Sequence, residues 1–486
     1  MAVLLGLGAY YKFANNHRHL PTGCDEFGYL YLADAMNQGR TFGEHTERPY
    51  LPELIRDLEK EGFTYAQYGW ILAPHAYHCQ PDSAQITNQY PPGTSAVLSL
   101  FPWEQRQSYF PAWVAVLFWI LPLLALGALA LNRLHVGAVL LFTLLAFSLL
   151  STPFLTEYSR INAVAPTFGL LVAAGICLFT RPGWSIVFIA CAALFRLPNV
   201  WLLIPVGLIY LSKTWHLGWK ERFVRAGKAI ALGSLGGIAW LAAYQYKLLG
   251  NPLTSTYSTR DQGWISLSEL GKQLHYYLIA EPGWTSVHVV GFVVLLWAAQ
   301  TGRISWKRVS VTLGIVIWNY LFFLAHEVQV PYYPYATALL VWGIAIDAFR
   351  HDWLSLRTSR VVAAITMLAP IVLIAVHRDT SPGVQAQERA SLQHCLADAE
   401  VVWAEDRSGT LEYATGKSGL RLLWGDQPTR NFVLRWFREH GIRQWIWLDE
   451  FPGSEEQASV LLNQWNLPHT RKTCETWGTF LEIPPQ

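Results

Sequence analysis

The feature that most constrains this chain is a succession of apolar runs separated by charged or Pro/Gly breaks. They read Tyr109–Leu131, Val136–Leu150, Val164–Phe179, Ser185–Leu194, Val200–Leu211, Ala229–Tyr246, Val287–Ala299, Val309–Ala325, Tyr332–Ile346 and Val361–Val376. Within lipid a backbone must satisfy its own hydrogen bonds, and runs of this length read as membrane-spanning helices. Met1–Ala14 is also apolar. It is short for a span and lacks the basic start and small-residue cleavage site of a signal peptide; it reads as a first transmembrane helix, a start codon set too late being one explanation of its length. The total is about eleven spans.

Composition agrees. Hydrophobic residues make up 52% of the 486 and charged residues 14%, with 23 Trp and 22 Tyr suited to water–lipid boundaries. A net charge of +2, with no Lys/Arg-rich run, phosphate loop or dinucleotide fingerprint, argues against a nucleic-acid partner.

Arg196 and Pro198 interrupt the apolar stretch Ser185–Leu211, which is either one long tilted helix or two short ones meeting at a break. Two short helices put Arg133, Arg181, the Lys213–Lys228 group, Arg303, Lys307, Arg308, Arg350, Arg357 and Arg360 on one side of the membrane. That is the cytoplasmic side by the positive-inside rule. Both long polar regions, 15–108 and 377–486, then lie outside the cytoplasm. The expected organisation is a transmembrane domain over 1–376, with 15–108 as its first external loop, followed by an external α/β domain over 377–486.

In the external loop, Leu51, Leu54, Ile55 and Leu58 recur at helical spacing opposite Arg56, Asp57, Glu59 and Lys60, so a helix resting on the membrane surface is expected; Phe27–Met36 is expected to do the same. In the C-terminal region, short β-like runs at Val401–Ala404, Leu420–Trp424, Gln444–Leu448 and Thr479–Ile483 surround an amphipathic helix near Asn431–His440. Cys24 and Cys79 share the loop, and Cys395 and Cys474 share the C-terminal domain. Two disulfides in an oxidising compartment are expected, Cys24–Cys79 and Cys395–Cys474, with Cys177 and Cys191 left as thiols in spans.

The residues that could carry chemistry gather at one mouth of the membrane. "DEFGYL" places Asp25 and Glu26 just after the first span, where a carboxylate either points to water or is put to use; a helix N-cap is the plain alternative. "NQYPPGTS" precedes the second span and by itself is a Pro-Pro turn. "EYSR" supplies Glu157 and Arg160, "FRLP" supplies Arg196, "GNPLTSTY" supplies Tyr257, and "HEVQVPYYP" supplies His326, Tyr332 and Tyr333. Together they suit an anionic, lipid-linked substrate. His75, His78, Glu44 and His45 sketch a zinc site, but their spacing is loose and a solvated loop is the better account of them.

The order of these motifs resembles the GT-C superfamily of integral-membrane glycosyltransferases, in particular the branch of aminoarabinose transferases and protein O-mannosyltransferases. The resemblance covers residues 1–376. It implies an inverting enzyme of the inner membrane that moves a sugar, hexosyl or pentosyl, from a polyprenyl-phosphate donor to a hydroxyl of a lipid, glycan or protein acceptor on the outer face. Asp25 matches the family's general base, Arg160 and Arg196 are candidates for the lipid phosphate, and Glu26 and Glu157 for orienting the acceptor. His326, Tyr332 and Tyr333 follow as phosphate donors, although relatives often carry an Arg-Tyr pair where this chain has Pro331-Tyr332-Tyr333. Some members use a divalent cation and others do not. The competing class is a transporter or flippase of lipid-linked glycans, which should show an internal repeat and ionisable groups near mid-membrane; no convincing repeat is visible, and the charges cluster at one mouth.

Overall fold

The structure, a computed structural model, describes residues 24–40, 46–79, 85–101, 161–213, 215–253, 270–280, 282–324, 335–349, 382–405, 407–421, 425–448, 468–474 and 477–486. The chain divides into two compact units. One is helical and takes Met1–Ala14, Tyr109–Ala243 and Gln262–Asp379; the other takes Asn15–Ser108, Tyr244–Asp261 and Thr380–Gln486. Residues 15–108 therefore fall in the same unit as residues 380–486.

In the helical unit, helices Val164–Cys177 and Tyr335–Phe349 run side by side. The Thr167 and Tyr335 hydroxyls lie 2.7 Å apart. Further along, a Cβ on Gly175 would come within 2.2 Å of the Leu340 carbonyl oxygen, and one on Gly343 within 2.2 Å of that of Val172. Thr167 to Gly175 and Tyr335 to Gly343 are equal steps, so the pair is parallel, with glycines where the backbones touch.

The interrupted stretch is two helices. Pro182–Phe195 ends at Arg196, whose backbone is extended (φ −146°, ψ 111°). A 3₁₀ turn, Leu197–Leu202, leads into Leu203–Ser212. Asn199 Nδ2 closes the break by donating to the Ala192 carbonyl at 3.0 Å. The chain doubles back, since Lys213 Nζ donates to the Phe179 carbonyl at 2.8 Å and Gly183 faces Tyr210. Trp201 and Trp318 stack at 4.8 Å, each indole N–H donating to the other's carbonyl (3.4 and 3.1 Å).

Two described helices are long and apolar enough to cross a membrane, Trp219–Leu249 and Trp306–Leu324; Pro182–Phe195, Leu197–Ser212, His288–Gln300 and Tyr335–Ala345 are apolar but shorter. Trp219–Leu249 kinks at Gly237, whose φ of +114° only glycine adopts readily and whose missing side chain makes room for Leu194. The runs expected at Met1–Ala14, Tyr109–Leu131, Val136–Leu150 and Val361–Val376 lie outside the described residues.

The mixed unit holds all eight described strands: β1 Thr46–Glu47, β2 Tyr77–Cys79, β3 Gln85–Asn88, β4 Val401–Trp403, β5 Ser418–Leu420, β6 Gln444–Trp447, β7 Thr470–Cys474 and β8 Gly478–Ile483. The first three form an antiparallel sheet with β3 in the middle. The others form a mixed sheet in the order β5-β4-β6-β8-β7, parallel across β5, β4 and β6 and antiparallel beyond. Three of the four β-like runs of the sequence are β4, β6 and β8; the fourth, Leu420–Trp424, meets β5 only at Leu420, and residues 422–424 lie outside the described residues. Strand β7 carries polar residues at an exposed edge, so it has no hydrophobic alternation to reveal it. Leu392, Val402, Leu411, Trp445, Trp447 and Phe480 build the core against the Cys395–Cys474 disulfide.

Two expectations for the loop are corrected. The Leu51–Lys60 helix forms, but Leu51, Leu54, Ile55 and Leu58 are buried inside the unit, where Asp57 accepts from the Trp436 indole at 3.1 Å and Tyr50 meets Phe437 edge-on. Protein already covers the face assigned to lipid. The helix Cys24–Asn37 is likewise buried along Phe27, Tyr29, Leu30, Leu32, Ala33 and Ala35.

The Cys24–Cys79 disulfide is absent: Cys395–Cys474 is bonded, while both loop cysteines are thiols. Cys79 is locked into β2 opposite Ile86, with its N–H on the Gly69 carbonyl (3.0 Å). Cys24 stands at a helix start beside Asp25.

Candidate active site

Asp25 lies in the first turn of the helix Cys24–Asn37, where a carboxylate complements the helix dipole. What fixes it comes from "NQYPPG". The Tyr90 ring lies against Gly28, where an added Cβ would stand 2.6 Å from Tyr90 Cδ2 and 2.9 Å from Ala76 Cβ. Only glycine admits that approach. Asn88 clamps the same spot: its Nδ2 donates to the Gly28 carbonyl (2.6 Å) and to the Tyr77 hydroxyl (3.0 Å), and its Oδ1 accepts the Tyr90 N–H (2.7 Å). The Tyr29 ring packs 4.9 Å from that of Tyr90, and the Tyr244 hydroxyl donates to the Tyr90 carbonyl at 3.3 Å. Ala76 holds φ at +88°, a left-handed conformation costing about 1–2 kcal/mol for a residue with a Cβ.

Held this way, the Tyr90 hydroxyl donates to Asp25 Oδ1 at 2.6 Å and accepts from Gln89 Nε2 at 3.1 Å. The Cys24 thiol donates to the same Oδ1 at 3.3 Å. Asp25 is half-buried, whereas the neighbouring Glu26 is 6% exposed. The two adjacent carboxylates thus have different surroundings, and Asp25 is the more exposed of the two. Tyr90, Gln89 and Asn88 were visible in the sequence only as part of a turn.

Arg196 is half-buried at the break between its two helices. The helical unit also holds a buried polar group that the sequence reading passed over. His288 Nε2 lies 2.9 Å from the Thr337 hydroxyl, its Nδ1 3.4 Å from the Tyr320 hydroxyl, and Asn319 Nδ2 reaches the same Thr337 oxygen at 3.4 Å. A histidine among apolar helices was the available signal. Glu44, His45, Glu157, Arg160, Tyr257, His326, Tyr332 and Tyr333 lie outside the described residues.

His78 is fully buried in β2, its ring 5.7 Å from that of Trp70, and no described metal-type cluster includes it or His75. The described residues close enough to share an ion are Glu53, Asp57 and His440. Their acids already meet cations: Asp57 takes Lys60 at 2.9 Å and Glu53 lies 3.6 Å from Arg56. Hydrogen bonds from Lys60 and the Trp436 indole hold the Asp57 carboxyl below its usual range.

No family model and no curated protein matches the sequence. Among solved structures the chain is similar to ArnT from Cupriavidus metallidurans bound to undecaprenyl phosphate, at a TM-score of 0.54 and 13% identity, over 100% of this chain and 98% of that one. The apo form of the same protein matches over the same shares at 0.55 and 13%. The likeness is one of fold. It runs the full length of the chain, covering the helical and the mixed unit alike.

Proposed function

We propose that this chain is an inverting glycosyltransferase that moves a sugar from a polyprenyl-phosphate donor to an acceptor hydroxyl at the outer face of the inner membrane. The observation that carries the reading is the Asp25 carboxylate, oriented by Tyr90 at the start of a buried helix in a chain with the ArnT fold. The sequence motifs resemble the same GT-C branch, and that ArnT structure holds undecaprenyl phosphate.

In this reading Asp25 takes the proton of the acceptor hydroxyl as its oxygen attacks the anomeric carbon. The bond from that carbon to the phosphate oxygen breaks on the opposite face, so configuration inverts and the polyprenyl phosphate leaves with the bonding electrons. Negative charge grows on the phosphate during this step, so cations and hydroxyl donors there stabilise the transition state more than the ground state. Arg160 and Arg196 are assigned to it, with Tyr257, His326, Tyr332 and Tyr333 as further donors. Glu157 and Glu26 are assigned to orienting the acceptor. The acceptor is a lipid, a glycan or a protein.

The test is Asp25→Asn assayed with a panel of polyprenyl-phosphate monosaccharides. Transfer should fall by about 10²–10⁴-fold, the usual worth of a general base, while expression and thermal unfolding stay those of the wild type. Undiminished transfer by a folded Asp25→Asn protein would remove Asp25 from the role.

A further inference from the structure

Two donors converge on one carboxylate oxygen. The Tyr90 phenol and the Cys24 thiol both give their hydrogens to Asp25 Oδ1, at 2.6 and 3.3 Å, and among the described residues no group is placed on Oδ2. Gln89 Nε2 donates to the Tyr90 oxygen, which leaves the phenolic hydrogen to point at Asp25. The Tyr90 ring and main chain are fixed independently of the hydroxyl, by Gly28, Tyr29, Asn88 and Tyr244.

We propose that Tyr90 is the positioning residue of Asp25: it pins Oδ1 so that Oδ2 alone is presented to the acceptor hydroxyl. The proposal rests on the reading of Asp25 as the base. A carboxylate with one oxygen tied by a phenol cannot swing through its terminal torsion, so the basic lone pairs of Oδ2 keep one direction. In the transfer step the acceptor proton arrives on Oδ2 while Tyr90 keeps its own proton on Oδ1. Tyr90 therefore gives up no proton and forms no bond to substrate; it acts through Asp25. Cys24 and Glu26 are the neighbouring titratable groups on the same helix, and Tyr90 is the one contributed by the incoming segment.

Tyr90→Phe isolates the hydroxyl, because every contact that seats the ring and backbone survives. The full-length protein in detergent is assayed with whichever polyprenyl-phosphate monosaccharide of the panel the wild type turns over. Tyr90→Phe should lower kcat by about tenfold and change KM by less than about twofold, and Gln89→Leu should lower kcat by less. A role confined to packing would lower the unfolding temperature of Tyr90→Phe and leave kcat unchanged. That outcome, alongside an inactive Asp25→Asn, overturns the role of Tyr90 while the base stands. Full transfer by a folded Asp25→Asn overturns the base, and the positioning role with it.

Discussion

Arg48 and Glu412, 364 residues apart in the sequence, form an ion pair closed to water, their side chains 4% and 10% exposed. Arg48 also donates to the Tyr50 hydroxyl at 3.1 Å and the Gly419 carbonyl at 3.4 Å, and Glu412 accepts the Gly419 N–H at 2.9 Å. Removing one partner strands a buried charge. Arg48→Met should cost about 3–5 kcal/mol of stability in the mixed unit, whereas Arg48→Met combined with Glu412→Leu should regain most of it. Thermal unfolding of the wild type and the two variants checks this; equal losses in the single and double variants would mean that the stranded Glu412 charge is not what costs the stability.

The cysteines give a direct chemical test. Peptide mapping without reduction should recover Cys395 cross-linked to Cys474, and Cys24 and Cys79 as thiols. Burial pushes the Cys79 thiol up to about 12, so iodoacetamide near pH 8 should leave it unmodified until the protein is unfolded. A Cys24–Cys79 peptide would contradict the structure. Because the native bridge closes a separation of 79 residues, Cys395→Ser should cost about 2–4 kcal/mol.

Sequence periodicity located elements better than it located their partners. The stripe Leu51, Leu54, Ile55, Leu58 marked a helix and its covered face, but a stripe states only that something covers it; here that is protein. Strands β4, β6 and β8 were legible because their apolar residues are buried, and β7 was not because its polar residues face outward. Charge sidedness favoured two helices around Arg196, and the Lys213–Phe179 contact confirms them. Asp25 stood out as a carboxylate beside a span. Its link to Tyr90, 65 residues on, could not be read, since it depends on a close approach that only the missing side chain of Gly28 allows. Pairing Cys24 with Cys79 followed from counting thiols within one segment, and counting says nothing of where each sulfur points.

The crossing of Val164–Cys177 with Tyr335–Phe349 should tolerate no added carbon. Alanine is the better helix former by about 1 kcal/mol, so Gly227→Ala, at a position with no neighbouring atom within 4 Å, should hold or raise stability. Gly343→Ala should do the opposite. Its Cβ would meet the Val172 carbonyl at 2.2 Å, which is backbone and cannot rotate away, so the helices must part at a cost of about 1–3 kcal/mol. Thermal unfolding in detergent compares them, and a Gly343→Ala protein as stable as Gly227→Ala would show that the contact is not tight.

Asp426 caps the helix Gln427–Glu439 and couples it to the segment that carries Gln67. Its Oδ1 accepts the Thr429 N–H at 2.9 Å and its Oδ2 accepts from Gln67 Nε2 at 2.8 Å. Burial alone would raise this carboxyl, but the hydrogen bonds from Thr429 and Gln67, with the nearby Arg430 charge, outweigh it and hold it below the usual carboxylate range. A carboxyl lowered in the folded state adds stability that is fully present above its unfolded value and is lost as pH falls through the folded one. Asp426→Ala should therefore lose about 1 kcal/mol at pH 7. The difference from wild type should begin to shrink near pH 4, where the unfolded carboxyl titrates, and go on shrinking as pH falls toward the lower folded value. Unfolding midpoints at neutral pH and near pH 3 measure both, and a gap of the same size at the two pH values would rule out the ionised cap as its source.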